Sequence, residues 1–178
     1  DGAEAWLSHK LADRVSALDT RDPHRVLDTV ALGNLARPNH FEFVENARGK
    51  VVYVSLARVD DGGPGGVASS QLAIIDRSAA PGTRRVVGTL FTHGREAHGL
   101  WTNPSHTLLY VAHEQDELPG TPGAGQTVCT AFDVTNPFAP VFLAQIPLGS
   151  LALPSGQLRN KKSINLVYVR PGARSQSA

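Results

Sequence analysis

Seven histidines are the residues of this chain best suited to chemistry. Imidazole changes charge near neutrality, and in its neutral form it is a common ligand of copper and zinc. His93 stands five residues before His98 in Thr92-His93-Gly94-Arg95-Glu96-Ala97-His98, and His40 stands 58 residues before it (98 − 40). If the fold gathers His40, His93 and His98, they form a candidate metal site. The alternative is a recurring turn residue hydrogen-bonded to a neighbouring unit. Arg37, Arg95 and Glu96 flank these histidines. They are candidate ligand-binding residues that would orient an anion, and ion pairs between neighbouring units explain them equally well. His9 and His113 make a second pair, expected as polar rim residues, and His24 and His106 sit in turns expected to face solvent.

Other chemistries find little support. No HExxH or clustered Cys/His pattern is present, and the serines show no nucleophile elbow. Cys129, the only cysteine, lies in an alternating apolar run and is expected to be a buried, inert thiol. Gly62-Gly63-Pro64-Gly65-Gly66 lacks the lysine and helix of a phosphate loop. Asp60, Asp61, Glu114, Asp116 and Glu117 bracket two long connections without calcium-loop spacing, and read as solvated loop ends. Trp6 and Trp101 are expected in core or inter-unit packing. A net charge of +1 gives no basic patch for nucleic acid, and Arg84-Arg85 and Lys161-Lys162 read as solvated strand ends. No apolar run approaches the roughly 18 residues of a membrane span. There is no methionine, even at position 1, so the sequence is expected to start after processing or to belong to a longer chain. No signal peptide is visible.

A repeat positions these residues. Val15–Asp19, Leu72–Asp76 and Cys129–Asp133 are alternating apolar runs ending on aspartate, spaced by 57 residues each time (76 − 19 and 133 − 76). Val52-Tyr53-Val54, Leu109-Tyr110-Val111 and Val167-Tyr168-Val169 keep the same beat, at 57 and 58. Such a period, carried by short alternating runs, means a stacked all-β unit. The 17 glycines and 12 prolines supply its many turns. The terminal aspartate of each run suits an Asx turn.

Within one unit the sequence predicts strands over His40–Val44, Val51–Arg58, Gln71–Asp76 and Arg85–Phe91. The next has His98–Asn103, Thr107–His113, Thr127–Asp133 and Pro140–Pro147, and before the first come Ala5–His9, Arg14–Asp19 and Arg25–Leu32. After the second, a weak strand near Ser155–Leu158 and another at Ile164–Arg170 are expected, and no helix. The implied divisions are a partial unit at 1–33, full units at 34–91 and 92–148, a partial unit at 149–170 and a tail at 171–178. Asp60–Ser70 and Asp116–Gln126 are expected to be exposed hairpin connections.

The Tyr-Val strands, the aspartate-ended strands and the His98-Gly99-Leu100-Trp101-Thr102-Asn103-Pro104-Ser105 segment together resemble the YVTN-type β-propeller repeat family. The resemblance implies an all-β propeller segment of about three four-stranded antiparallel blades. Propellers close with four to eight blades, so remaining blades of the same protein, or a second copy, would close the ring. It further implies that inner-strand starts converge on a central channel, bringing His40, His93 and His98 to its mouth. The expected function is a ligand- or protein-binding module, an exported scaffold that is periplasmic or secreted, with a small ligand or protein at the channel mouth. No nucleic acid or membrane span is expected. The alternative is a segment of a periplasmic copper-dependent oxidoreductase, because some related propellers hold copper with channel histidines. Whether the chain is an enzyme, and whether copper is its cofactor, the residues leave open.

Overall fold

Alternation along Val51-Val52-Tyr53-Val54 places successive side chains on opposite faces of a strand, and all four are fully buried. A strand buried on both faces must lie between two other layers. The computed structural model, which describes residues 2–22, 24–149, 163, 165–167 and 169, has that arrangement. The chain is all-β, with three antiparallel sheets built in sequence order. The first holds β1 (Glu4–His9), β2 (Arg14–Asp19) and β3 (Val26–Ala31). The second holds β4 (Pro38–Asn46), β5 (Gly49–Asp60), β6 (Ser69–Asp76) and β7 (Val86–Phe91). The third holds β8 (Ala97–Thr102), β9 (Leu108–His113), β10 (Val128–Asp133) and β11 (Val141–Pro147). One 3-10 turn, Pro64–Gly66, interrupts the β5–β6 connection. Among the described residues no helix is long and apolar enough to cross a membrane.

Two apolar layers join the sheets. Val52, Val54, Ala73 and Ile75 of the second sheet pack with Val15 and Val30 of the first, with Trp6 edge-on to Phe41 at 6.2 Å. From the opposite face, Val51, Tyr53, Leu72 and Ile74 pack with Leu100, Leu109, Val111 and Phe132 of the third. The period of two thus assigns each side chain to one layer. Polar clasps fix the stacking. The buried Tyr53 hydroxyl donates to the Pro137 carbonyl at 2.6 Å, and Asn46 Nδ2 donates to the Val134 carbonyl at 3.2 Å.

The recurring aspartates do what their position suggests. Asp19, Asp76 and Asp133 each accept the backbone N–H two residues on, from Arg21, Ser78 and Thr135, at 3.0, 2.8 and 2.7 Å. These Asx turns end β2, β6 and β10, the next-to-last strand of each sheet in chain order.

Three expectations require correction. Arg84 is not a solvated strand end. Its side chain is 5% exposed and pairs with Glu4 at 2.6 Å and Asp28 at 3.2 Å, clasping the first sheet to the second. His113 is no rim residue but fully buried, with Nδ1 donating to the Val128 carbonyl and Nε2 accepting from Thr92 Oγ1. His106 is turned onto the neighbouring hairpin, where Nδ1 accepts the Glu45 N–H at 2.9 Å. The Ser155–Leu158 strand lies outside the described residues. Of Ile164–Arg170, the described residues 165–167 and 169 form no strand.

Candidate functional site

The inner strands β4 and β8 lie side by side, and each carries the same irregularity. Pro38 pairs with Leu56 and Phe41 with Val54, so Asn39 and His40 together oppose Ser55 alone. Ala97 pairs with His113 and Leu100 with Val111, so His98 and Gly99 together oppose Ala112. Both are β-bulges, which bend a strand and re-aim its side chains. The residue entering each bulged strand, Arg37 or Glu96, has a left-handed backbone, with φ of 51° and 57°. Its carbonyl accepts an N–H from the adjacent second strand at 3.0 Å, from Ala57 and from Glu114 respectively.

This register makes Arg37 equivalent to Glu96 and Asn39 equivalent to His98. Although their spacing of 58 residues is close to the repeat length, His40 and His98 do not occupy corresponding places; they are one residue out of phase. Their rings nevertheless meet, with centroids 4.5 Å apart. Ser55 ties the two bulges, accepting the His40 N–H at 2.9 Å and donating to the His98 carbonyl at 2.5 Å. No sequence signal singled out Ser55, because its role arises only where the strands adjoin.

Charge is arranged tightly around the pair. His98 Nε2 lies 3.1 Å from Glu114 Oε1, a carboxylate buried to 2% exposure. Arg37 Nη2 lies 3.6 Å from Glu96 Oε1, so the two equivalent residues neutralise one another. Burial, reinforced by the neighbouring His98 ring, lowers the pKa of His40, while Glu114 opposes the shift. Its imidazole is thus kept neutral, the form that donates a lone pair.

The other candidates are placed elsewhere. Arg95 turns away, donating Nη1 to the Asp116 carbonyl at 2.6 Å and its backbone N–H to Glu117 at 3.1 Å. Glu117 is not a solvated loop end; it is 3% exposed, and burial pushes its pKa up to about 7. His93 stacks on Phe142 with centroids 3.7 Å apart, at the other end of the β7–β8 connection. Among the described residues no group of three or more His, Cys, Asp or Glu side chains converges as a metal site. His40 and His98 supply two imidazoles, so copper here needs donors from outside these residues. Cys129 is buried, and burial raises its pKa to about 11, as suits an inert thiol.

A crystal structure of a functionally unknown protein from Desulfotomaculum acetoxidans is similar to this chain, with a TM-score of 0.54 at 14% identity. The match covers 83% of this chain and 38% of that protein, so the chain spans well under half of its length. That likeness concerns the fold alone. No protein-family model matches the sequence, and none of the curated proteins compared with it does.

Close packing beneath the bulges can be tested directly. A Cβ added at Gly94 would lie 2.6 Å from the buried His113 ring, which is locked by two hydrogen bonds. Gly94→Ala should cost about 1–3 kcal/mol, the usual penalty of overpacking. Chemical denaturation reads it, and an unchanged midpoint would mean that His113 does not pack there.

Proposed function

We propose that the chain is a segment of a YVTN-type β-propeller, and that it serves as a ligand- or protein-binding module in an exported, periplasmic or secreted scaffold. Its working surface is the channel mouth formed by the entry ends of β4 and β8. One observation carries the reading: a bulge repeated in neighbouring inner strands brings His40 and His98 into ring contact. The repeat phase supports further sheets. Adding 57 to Val51, Tyr53, Leu72 and Ile74 gives Leu108, Tyr110, Cys129 and Ala131. Those four thus share the face of the third sheet that would receive the next sheet. The described residues Leu166, Val167 and Val169 already lie over Trp101, Tyr110 and Cys129.

Two imidazoles in contact, one beside a buried carboxylate, also favour a second reading: a segment of a copper-dependent oxidoreductase whose remaining ligands come from other blades. Metal analysis of the purified protein separates the two. The binding module is expected metal-free, with stability unchanged in His40→Ala. Copper bound in stoichiometric amount, and lost in His40→Ala, would replace it with the oxidoreductase.

A further inference from the structure

The two glycine- and proline-rich connections, which the channel-mouth reading does not use, wall a separate cleft of about 460 Å³ between the second and third sheets. Pro64 and Val67 come from the β5–β6 connection, Pro122 from the β9–β10 connection, and Phe142 and Leu143 from β11. His93 projects into it from the β7–β8 connection. These connections were expected to be merely exposed hairpins, yet parts of them are buried: Glu117 is 3% exposed, and Gly63 is buried too.

His93 is held there against its backbone preference. Its φ is 56°, a left-handed conformation that a histidine adopts at a cost and that persists only where its surroundings enforce it. Both of its backbone groups are gripped by side chains from different sheets. The N–H donates to Ser69 Oγ at 3.0 Å, and the carbonyl accepts from Gln145 Nε2 at 2.8 Å. Phe142 stacks on the ring at 3.7 Å and an interplanar angle of 17°, which fixes its plane. Among the described residues, none hydrogen-bonds the ring nitrogens of His93. The imidazole is thus positioned by three neighbours, Ser69, Gln145 and Phe142, with its polar edge uncommitted.

We infer that this cleft is a binding site for a small, uncharged, planar aromatic molecule that hydrogen-bonds the imidazole edge of His93. Size, lining and charge each select that class. Ligand clefts span roughly 300–1,000 Å³, so this one takes a molecule of one or two rings. Proline and phenylalanine rings present flat apolar surfaces suited to an aromatic plate. Among the described residues no Asp, Glu, Lys or Arg side chain lines the cleft, so an ionised ligand would shed hydration without compensation. Burial lowers the His93 pKa, which favours the neutral ring, one nitrogen donating and the other accepting.

Indole is the probe, titrated into the 178-residue chain and followed by two-dimensional NMR with calorimetry. Saturable binding at millimolar or tighter affinity is expected, with the largest shifts at His93, Phe142 and Val67. Phe142→Ala, at a position already 37% exposed, should weaken binding at least tenfold. Val67→Arg, which fills the cleft with a guanidinium, should do the same if the first variant folds poorly. Indole-3-carboxylate should bind at least tenfold more weakly than indole, and Trp101→Ala should leave indole binding unchanged. Absence of saturable binding, equal affinity for the carboxylate, or loss on Trp101→Ala would each overturn the assignment. None of these outcomes bears on the channel mouth.

Discussion

Val54→Asp and Val111→Asp will each destabilise the protein by on the order of 4 kcal/mol, because each buries a carboxylate with no partner. Val54 is fully buried in the layer joining the first and second sheets, and Val111 is fully buried in the layer joining the second and third. The pair therefore probes both inter-sheet layers independently. Val141→Asp is the control: that side chain is 59% exposed on β11, and surface changes away from special features stay within about 0.5 kcal/mol. Urea denaturation gives all three. Near-neutral stability in both buried variants would show that the sheets do not stack through these faces.

The second large effect is a masked pH dependence. Burial raises Glu117 to about 7 from an ordinary 4.5, and lowers His113 to about 4 from an ordinary 6.5. A carboxyl with a raised folded pKa holds its proton longer in the folded state. Stability from Glu117 is therefore complete below about pH 4.5 and is lost as pH rises to about 7. The histidine runs the other way, complete above about pH 6.5 and lost as pH falls toward 4. At 1.36 kcal/mol per pKa unit, each contributes at most about 3 kcal/mol. Their slopes oppose one another through the overlap, so the wild-type profile should be nearly flat there. Glu117→Gln keeps an acceptor for the Arg95 N–H while removing the titration. The variant should gain up to about 3 kcal/mol at pH 8 and lose stability steeply below pH 6.5, leaving the His113 slope unmasked. Parallel profiles for variant and wild type would contradict the burial of Glu117.

The strands were legible because alternation is a direct imprint of a sheet with two faces. From β1 to β11 each predicted run overlaps the observed strand, with ends differing by at most two residues. The aspartates were legible for a local reason, since an Asx turn needs only its own residue and the next two. What the sequence hid depends on contacts between sheets. Arg84 finds Glu4 and Asp28 across 80 and 56 residues, and nothing in its neighbours announces that pairing. His113 looks like any polar strand-end residue until Gly94 and Thr92 close over it. The one-residue phase error between His40 and His98 has a similar origin. Their sequence spacing of 58 (98 − 40) falls between the 57 kept by the second and third strands and the 59 (96 − 37) that the register imposes on the bulged first strands. Spacing counts residues, whereas bulges and hairpin lengths decide which of them face one another.

In the proposed propeller these sheets would be consecutive members of a larger closed stack, with faces that another sheet must cover. Among the described residues Leu7 is 45% exposed on the outer face of the first sheet, and Trp101 is 39% exposed on that of the third. Light scattering on the 178-residue chain, alongside circular dichroism for folding, measures this most directly. The account predicts a folded β protein whose mass is that of two chains or more, since open apolar faces and unpaired strand edges drive association. A stable, well-folded monomer of 18.9 kDa would contradict it.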